Sequence, residues 1–423
     1  MGIKLGCIAD DFTGATDLAN NLVQAGMRVQ QAMGVPSGPL AADVDAVVIA
    51  LKSRTVPSED AISDSVAALR WLQAQGAQQI YFKYCSTFDS TSEGNIGPVT
   101  EALMDAMGTD FTVATPAFPD NKRTVFKGYL FVGDVLLHES GMQNHPLTPM
   151  TDPNLVRVMQ SQCTRKVGLI DYAVVQKGPD AVKERIAALR SDGVGIAIVD
   201  ALSNQDLVAM GPALGQLPLL TAGSGLAIGL PQNFGLSASS QAAALPPVKG
   251  ARAIVSGSCS VATNAQVAAF IREGHSAFAL DPMQIAADGN VVETVLSQVL
   301  PLLEEGPVLI YSTADPASVK AVQAQLGVAQ AGALVENTLA AIARGLVEGG
   351  VAQLIVAGGE TSGACVQALG ISQMQIGGQI DPGVPWCFAH TDIAGNEGIH
   401  IALKSGNFGS EDFFEKAFAG SAA

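Results

Sequence analysis

The sequence predicts an α/β protein built as two α/β domains with mainly parallel sheets. Three observations carry that prediction. Short apolar runs that read as buried strands alternate with helix-period segments along most of the chain. The chain has 423 residues, long for one hydrophobic core and comfortable for two. One central stretch, "SASSQAAALPPVKG", has no periodicity and carries little that packs.

In order, "IKLGCIA" reads as a buried strand, and "ATDLANNLVQAGM" has a helical period that ends at Gly26. "RVQQAMG" and "DAVVIAL" follow as strands. "SEDAISDSVAALRWLQAQG" is a helix with Ser58 as its cap and Gly76 as its stop. "QQIYFKY" is a strand, "GNIGPVTEALMDAMG" begins a helix, and "DFTVATPAF" is another strand. "RTVFKGYLFV" breaks the rhythm as a hairpin or lid, and "LHESGMQNHPLTPMTDPNL" is polar and loop-like. "KVGLIDY", a helix over about 180–190, "GIAIVDA" and "PLLTAGSGLAIGL" resume the alternation. We therefore expect a first domain over 1–235, a linker over 236–250 and a second domain over 251–423. The second domain offers the strands "ARAIVSG", "SAFAL", "GPVLIYS", "AQLIVAG", "CFA" and "IHIAL". Its helices are expected near 262–273, 288–304, 316–325, 333–348 and 361–369.

Composition narrows the functional classes. Hydrophobic residues at 48% and charged residues at 15% describe a folded chain. A net charge of -16 without any basic run argues against nucleic acid as a partner, yet local cations can still hold a small anion. The six cysteines are scattered with no CxxC, as expected of free thiols in a reducing compartment. Asp10 and Asp11 interrupt the N-terminal apolar run, and no stretch of roughly 18 apolar residues reads as a membrane span. The cytoplasm is the expected location, with no membrane partner. The five histidines lack HExxH or any tight metal spacing, and Trp71 and Trp386 read as packing residues.

Ligands of open parallel sheets bind beyond the carboxyl ends of the strands. Four first-domain loops lie there: Asp10–Gly14, Lys52–Thr55, "KYCSTFDSTSEGN" and "TPAFPDNKRTV". Their carboxylates (Asp10, Asp11, Asp17, Asp89) accept hydrogen bonds from sugar hydroxyls. Their cations (Lys52, Arg54, Lys83, Lys122, Arg123) suit an acid, with Arg54 able to fork onto a carboxylate. The simpler alternative is that Asp11 caps the next helix and Arg54 pairs with an acidic neighbour. The second domain's rim is instead glycine and hydroxyl: "VSGSCSVATNAQ", "VAGGETSGACV" and "ALKSGNFGSEDF". Backbone N–H groups brought close by glycine, next to helix N-termini, favour polyphosphate. Glu360 or Asp392 suits Mg²⁺, an oxygen-seeking ion. No Walker A motif, no GxGxxG after the first strand and no complete GxSxG occur.

Together, "ADDFTGATDLAN", "KYCSTFDSTSEGNIGPV", "TPAFPDNKRTV", "SGSCS", "GGETSG" and "LKSGNFG" resemble the four-carbon acid sugar kinase family, from about residue 4 to 416. The resemblance implies an ATP-dependent kinase whose N-terminal domain holds the sugar acid and whose C-terminal domain holds ATP. Cys85 and Phe88 resemble the branch acting on 3-oxo-tetronates, since the threonate and erythronate branch carries a more charged loop. Such enzymes act before a decarboxylase and an isomerase. The resemblance implies that Asp10, Asp11, Arg54, Ser86 and Lys122 or Arg123 face the sugar acid. Ser258, the Gly358–Thr361 turn with Gly359 and Glu360, and the Lys404, Ser405 and Gly406 loop face ATP.

The expected reaction is phosphoryl transfer from ATP to the C4 hydroxyl. Asp11, at the tip of the first strand, orients the hydroxyl and accepts its proton, while Lys404 or Arg123 neutralises charge. The two-domain layout implies an interdomain active-site cleft that closes against water. A threonate or erythronate kinase, a sugar-acid-binding regulator and a hydrolase or lyase using Asp and Lys are the rivals. The sequence leaves a homodimer open.

Overall fold

The computed structural model describes residues 2–38, 44–145, 147–313, 327–391, 393 and 398–419. The expected helix over 316–325 and the candidate Asp392 lie outside them. The chain divides into two units, Met1–Ala243 and Ala244–Ala423.

The first unit's apolar runs form β1 (Leu5–Ala9), β2 (Val29–Met33), β3 (Ala46–Ala50), β4 (Gln79–Lys83) and β5 (Thr112–Thr115). A small antiparallel sheet follows: β6 (Arg123–Phe126), β7 (Tyr129–Val132) and β8 (Val135–Leu136). β9 (Lys166–Ile170), β10 (Val194–Val199) and β11 (Leu219–Ala222) complete the main sheet. Its order is β2-β3-β1-β4-β11-β5-β10-β9, and every pairing is parallel. Strands buried on both faces read as continuous apolar runs, which is why they were legible. The chain places β3 and β2 on one side of β1, then returns to place β4 on the other. The carboxyl ends of β3, β1 and β4 therefore flank the reversal of strand order, the usual ligand position in such sheets.

The connecting helices are α1 (Phe12–Gln24), α2 (Ser58–Ala74), α3 (Ile96–Met107), α4 (Leu155–Gln162), α5 (Tyr172–Val175), α6 (Pro179–Ser191) and α7 (Asn204–Leu214). Ser58 does not cap α2; Pro57 occupies that position, and the Ser58 hydroxyl instead donates to Asn95 Oδ1 at 2.8 Å. Gly76 does end the helix, with φ +80°. α7 was hidden by Gly211 and Pro212. Pro212 cannot donate to the Val208 carbonyl, and the Gln232 amide satisfies that oxygen at 2.8 Å instead. Gly211 lets the helix touch chain that a methyl would strike, 2.0 Å from the Gly229 oxygen.

"RTVFKGYLFV" is the expected hairpin. Its turn residues Lys127 and Gly128 both have positive φ, +54° and +76°, as a two-residue type I′ turn requires. The buried Asp200 carboxylate accepts the N–H groups of Lys127 at 2.7 Å, Gly128 at 2.8 Å and Tyr172 at 2.9 Å. Those bonds hold a lysine in a backbone region that it otherwise avoids.

The second unit holds β12 (Ala251–Ser256), β13 (Ser276–Ala279), β14 (Val308–Tyr311), β15 (Val351–Ala357), β16 (Gln373–Asp381), β17 (Val384–Ala389) and β18 (Ile399–Lys404). The order is β13-β14-β12-β15-β18-β17-β16, parallel as far as β18 and antiparallel beyond it. The sheet is thus mainly parallel, with an antiparallel hairpin that the sequence did not disclose. Its helices are α8 (Val261–Arg272), α9 (Pro282–Ala287), α10 (Val291–Val299), α11 (Val328–Glu348), α12 (Gly359–Ala368) and α13 (Phe413–Ala419). The single helix expected over 288–304 is α10 continued by a 3₁₀ turn. Phe413, Phe414 and Phe418 of α13 pack with Phe270 and Trp386 into the core.

Replacing Asp200 by alanine strips three N–H groups, that of Gly128 buried, of their acceptor, each hydrogen bond to charge being worth about 1.5–3 kcal/mol. Limited trypsin digestion should then cut after Lys127 at least about tenfold faster than in the wild type.

Candidate functional site

At the β1 tip, Asp11 caps α1, accepting the Gly14 N–H at 3.1 Å on Oδ1. Its Oδ2 accepts, among the described residues, only the Thr13 hydroxyl, at 3.0 Å. Beyond β3, Arg54 forks onto Asp10, with Nε–Oδ2 at 2.8 Å and Nη2–Oδ1 at 3.0 Å. The same guanidinium lies 2.8 Å from Asp11 Oδ1 and 3.8 Å from Asp89 Oδ2. Lys83, at the end of β4 and buried, reaches Asp11 Oδ1 at 3.3 Å. Gly14 makes this possible: a methyl there would sit 1.7 Å from the Lys83 ammonium nitrogen. Burial works against the Asp11 carboxylate, but Arg54 and Lys83 outweigh it and hold its pKa well below the usual carboxylate range. Asp11 is thus a fixed anion with Oδ2 still able to accept.

Both halves of the simpler alternative therefore hold: Asp11 is a cap, and Arg54 is paired with acids. The Nε–Nη2 edge with which Arg54 could fork onto a ligand carboxylate is occupied by Asp10 in this structure. A different arginine has spare capacity. Arg123 donates through Nη1 to the Asn121 carbonyl, while its buried Nε has no acceptor among the described residues. Burial lowers its pKa, and Cys85, Asp89 and Asp17 are the acidic groups near enough to oppose that shift. Lys122 is exposed, in a left-handed turn at φ +58°. Ser86 is half-buried in the loop after β4.

Asp17, on α1, accepts from the Ser224 hydroxyl on Oδ2, and its buried Oδ1 has no partner among the described residues. Burial pushes its pKa up to about 6, against the Ser224 hydrogen bond and Lys83. Asn95 was not singled out from the sequence. Its amide donates to the Ser53 carbonyl at 2.8 Å and the Val56 carbonyl at 2.9 Å, fixing the loop that carries Arg54. Ser224 was missed as well, since "AGSG" reads locally as an ordinary strand exit.

In the second unit, β12, β15 and β18 are adjacent and parallel, so their three loops share one rim. Gly358 donates to the Lys404 carbonyl at 2.8 Å, and Gly257 and Ser258 donate to Ala357 O at 3.0 and 3.2 Å. Small hydroxyl side chains fill the space between these loops. A methyl on Gly257 would lie 2.3 Å from Thr361 Oγ1, and one on Gly406 would lie 2.5 Å from Ser258 Oγ. Thr361 thus fills the space beside two glycines, buried rather than presented. Gly359 and Glu360 open α12 and are exposed; Ser405 and Gly406 are half-buried. Lys404 departs from expectation. It is fully buried, and its Nζ points beneath the loop at Thr263 Oγ1 (2.9 Å) and the carbonyls of Ser405, Gly406 and Phe408 (3.1–3.2 Å). Burial brings its pKa down to about 7. So placed, its ammonium is engaged by Thr263 and backbone carbonyls rather than presented at the surface.

Among the described residues, no three of His, Cys, Asp and Glu converge as metal ligands. No helix there is long and apolar enough to cross a membrane.

The class follows from the two rims and from comparison with known families. Residues 5–230 match a sugar-binding N-terminal domain, and residues 253–414 match a nucleotide-binding C-terminal domain. The chain belongs to the four-carbon acid sugar kinase family. A curated 3-oxo-tetronate kinase of Pseudomonas fluorescens is 58% identical over 418 residues, covering 98% of this chain and 96% of that one. Another, from Burkholderia multivorans, is 58% identical over 417 residues, with 98% and 96% covered. The crystal structure of a Haemophilus influenzae protein, 49% identical, superposes with a TM-score of 0.84 and covers 98% of this chain and 99% of its own.

Folded Asp17 keeps its proton up to about pH 6, against an ordinary 3.8, so its contribution favours folding in acid and is lost as pH rises through 6. Asp17→Asn should therefore raise stability at pH 8, by at most about 3 kcal/mol. The gain should shrink to nothing near pH 4. Melting temperatures measured across that range check this.

Proposed function

We propose that the chain is an ATP-dependent 3-oxo-tetronate kinase that phosphorylates the C4 hydroxyl of its substrate and works in the cytoplasm. The observation that carries this reading is the near-full-length identity to curated 3-oxo-tetronate kinases, 58% over 418 residues. The charged rim of the first unit and the glycine rim of the second support it from chemistry.

The sugar acid sits over the carboxyl ends of β1, β3 and β4. Arg123, whose Nε lacks an acceptor among the described residues, takes the substrate carboxylate. Asp11 Oδ2 accepts the C4 hydroxyl and aims its oxygen. Phosphoryl transfer passes through a loose transition state, so an acceptor of low basicity still serves, because positioning matters more than proton removal. Arg54 and Lys83 keep Asp11 ionised and fixed. The Ser258, Gly359 and Gly406 loops hold the nucleotide phosphates through backbone N–H groups. Glu360, a single exposed carboxylate in the first turn of α12, fits Mg²⁺, which takes few protein carboxylates alongside phosphate oxygens and water. When bound, Mg²⁺ neutralises charge on the outer phosphates.

ADP release across D and L forms of threonate, erythronate and their 3-oxo acids tests the reading. Turnover should be confined to, or greatest with, a 3-oxo acid; no turnover with any of them would sink it. Asp11→Asn should lower kcat by about 10²–10⁴-fold while MgATP still binds. Arg123→Gln should raise KM for the sugar acid by about tenfold or more, the loss expected for a charged hydrogen bond, and leave KM for ATP alone.

A further inference from the structure

The loop after β18 has an unusual polarity. Its carbonyls are gathered on one side. Lys404 Nζ takes those of Ser405, Gly406 and Phe408. The hydroxyls of Ser260 and Thr263, on α8 and its cap, also donate to Gly406 O. The Gln266 amide, one turn further along α8, donates at 3.0 Å to the carbonyls of Phe408, Gly409 and Ser410. In a trans peptide the C=O of one residue and the N–H of the next point in opposite directions. The N–H groups of Gly406, Asn407 and Gly409 therefore face away from Lys404, and none has an acceptor among the described residues. Backbone N–H groups left without an acceptor on the outer side of a loop are available to an anion. The loop is half-buried to exposed, whereas Lys404 is fully buried.

We propose that Lys404 is a positioning residue: from beneath the loop it holds the carbonyls of Ser405, Gly406 and Phe408 inward, so that the N–H groups of Gly406, Asn407 and Gly409 face the nucleotide phosphates. This rests on the kinase reading above. The ammonium never reaches the phosphates; its effect is transmitted by the orientation of the peptide planes. No carboxylate pairs with it among the described residues. α8 presents the neutral Thr263 to it and carries Arg272 at its far end. The titratable groups on the neighbouring segments include Cys259 in the loop after β12, Cys387 on β17, His400 on β18, Glu360 and Cys365 on α12, Glu411 and Asp412 after the loop, and Asp381 on β16, which accepts from Ser410 and pairs with Lys416. None of them is hydrogen-bonded to Nζ, and burial holds the Cys365 and Cys387 thiols neutral, with pKa values pushed up to about 12. The charge on Lys404 itself thus governs how firmly the carbonyls are held.

Calorimetric titration of the full chain with MgATP, and separately with threonate, at pH 6.5 and 8.5 tests this. In the wild type, MgATP affinity should fall several-fold from the lower to the higher pH as the ammonium discharges. Lys404→Met should bind MgATP at least tenfold more weakly at pH 6.5, show little further change at pH 8.5, and bind threonate as the wild type does. If Lys404→Met fails to fold, Thr263→Val serves instead: it releases one grip on Gly406 O but keeps the charge, so it should weaken MgATP several-fold and retain the pH dependence. Equal MgATP affinity in wild type and variants, or a wild-type affinity that does not change with pH, overturns the inference. A wild type that binds threonate but no MgATP overturns the kinase reading itself, and this inference with it.

Discussion

Two cations and two carboxylates share the carboxyl edge of the N-terminal sheet at distances of 2.8–3.3 Å. Lys83 is buried, and a buried ammonium without counter-charge is costly. Asp11 answers that need, and by doing so loses freedom: it cannot turn, and it cannot readily take up a proton. Asp10 does the same for Arg54. The loops after β1, β3 and β4 are therefore fastened to one another by charge rather than by apolar contact.

The second unit solves the opposite problem. On the proposed reading it holds several negative charges within a chain whose own net charge is -16. Its rim carries hydroxyls and glycines, and Lys404 is buried beneath the loop. Dipoles from backbone N–H groups attract phosphate without forming tight ion pairs.

The sequence made the layout legible where a local pattern carried it. The strands before Asp10, Lys52 and Lys83 are unbroken apolar runs, so the polar residues that follow them fall at one edge. The glycine turns before α8 and α12 were readable for the same reason. What stayed hidden depends on partners far along the chain. α7 contains Gly211 and Pro212, tolerable only because Asn233 and Gln232 take up the carbonyls of Gly211 and Val208. β16 contains Gly377, needed because Leu245 lies where its side chain would be, 2.4 Å away. Lys404 was placed at the right edge, but its carbonyl partners beneath the loop were not legible. Pattern locates a side chain along a strand; it does not say which way the end of a long side chain turns.

Gly14 shows how narrow such a design can be. The position is helical and near the surface, where alanine is ordinarily the safest exchange of all. Here the smallest possible addition would evict a charge. The harm would surface not as a frayed helix but as a displaced Lys83 and a loosened Asp11, so a library screened only for folding would undercount the intolerance of this site.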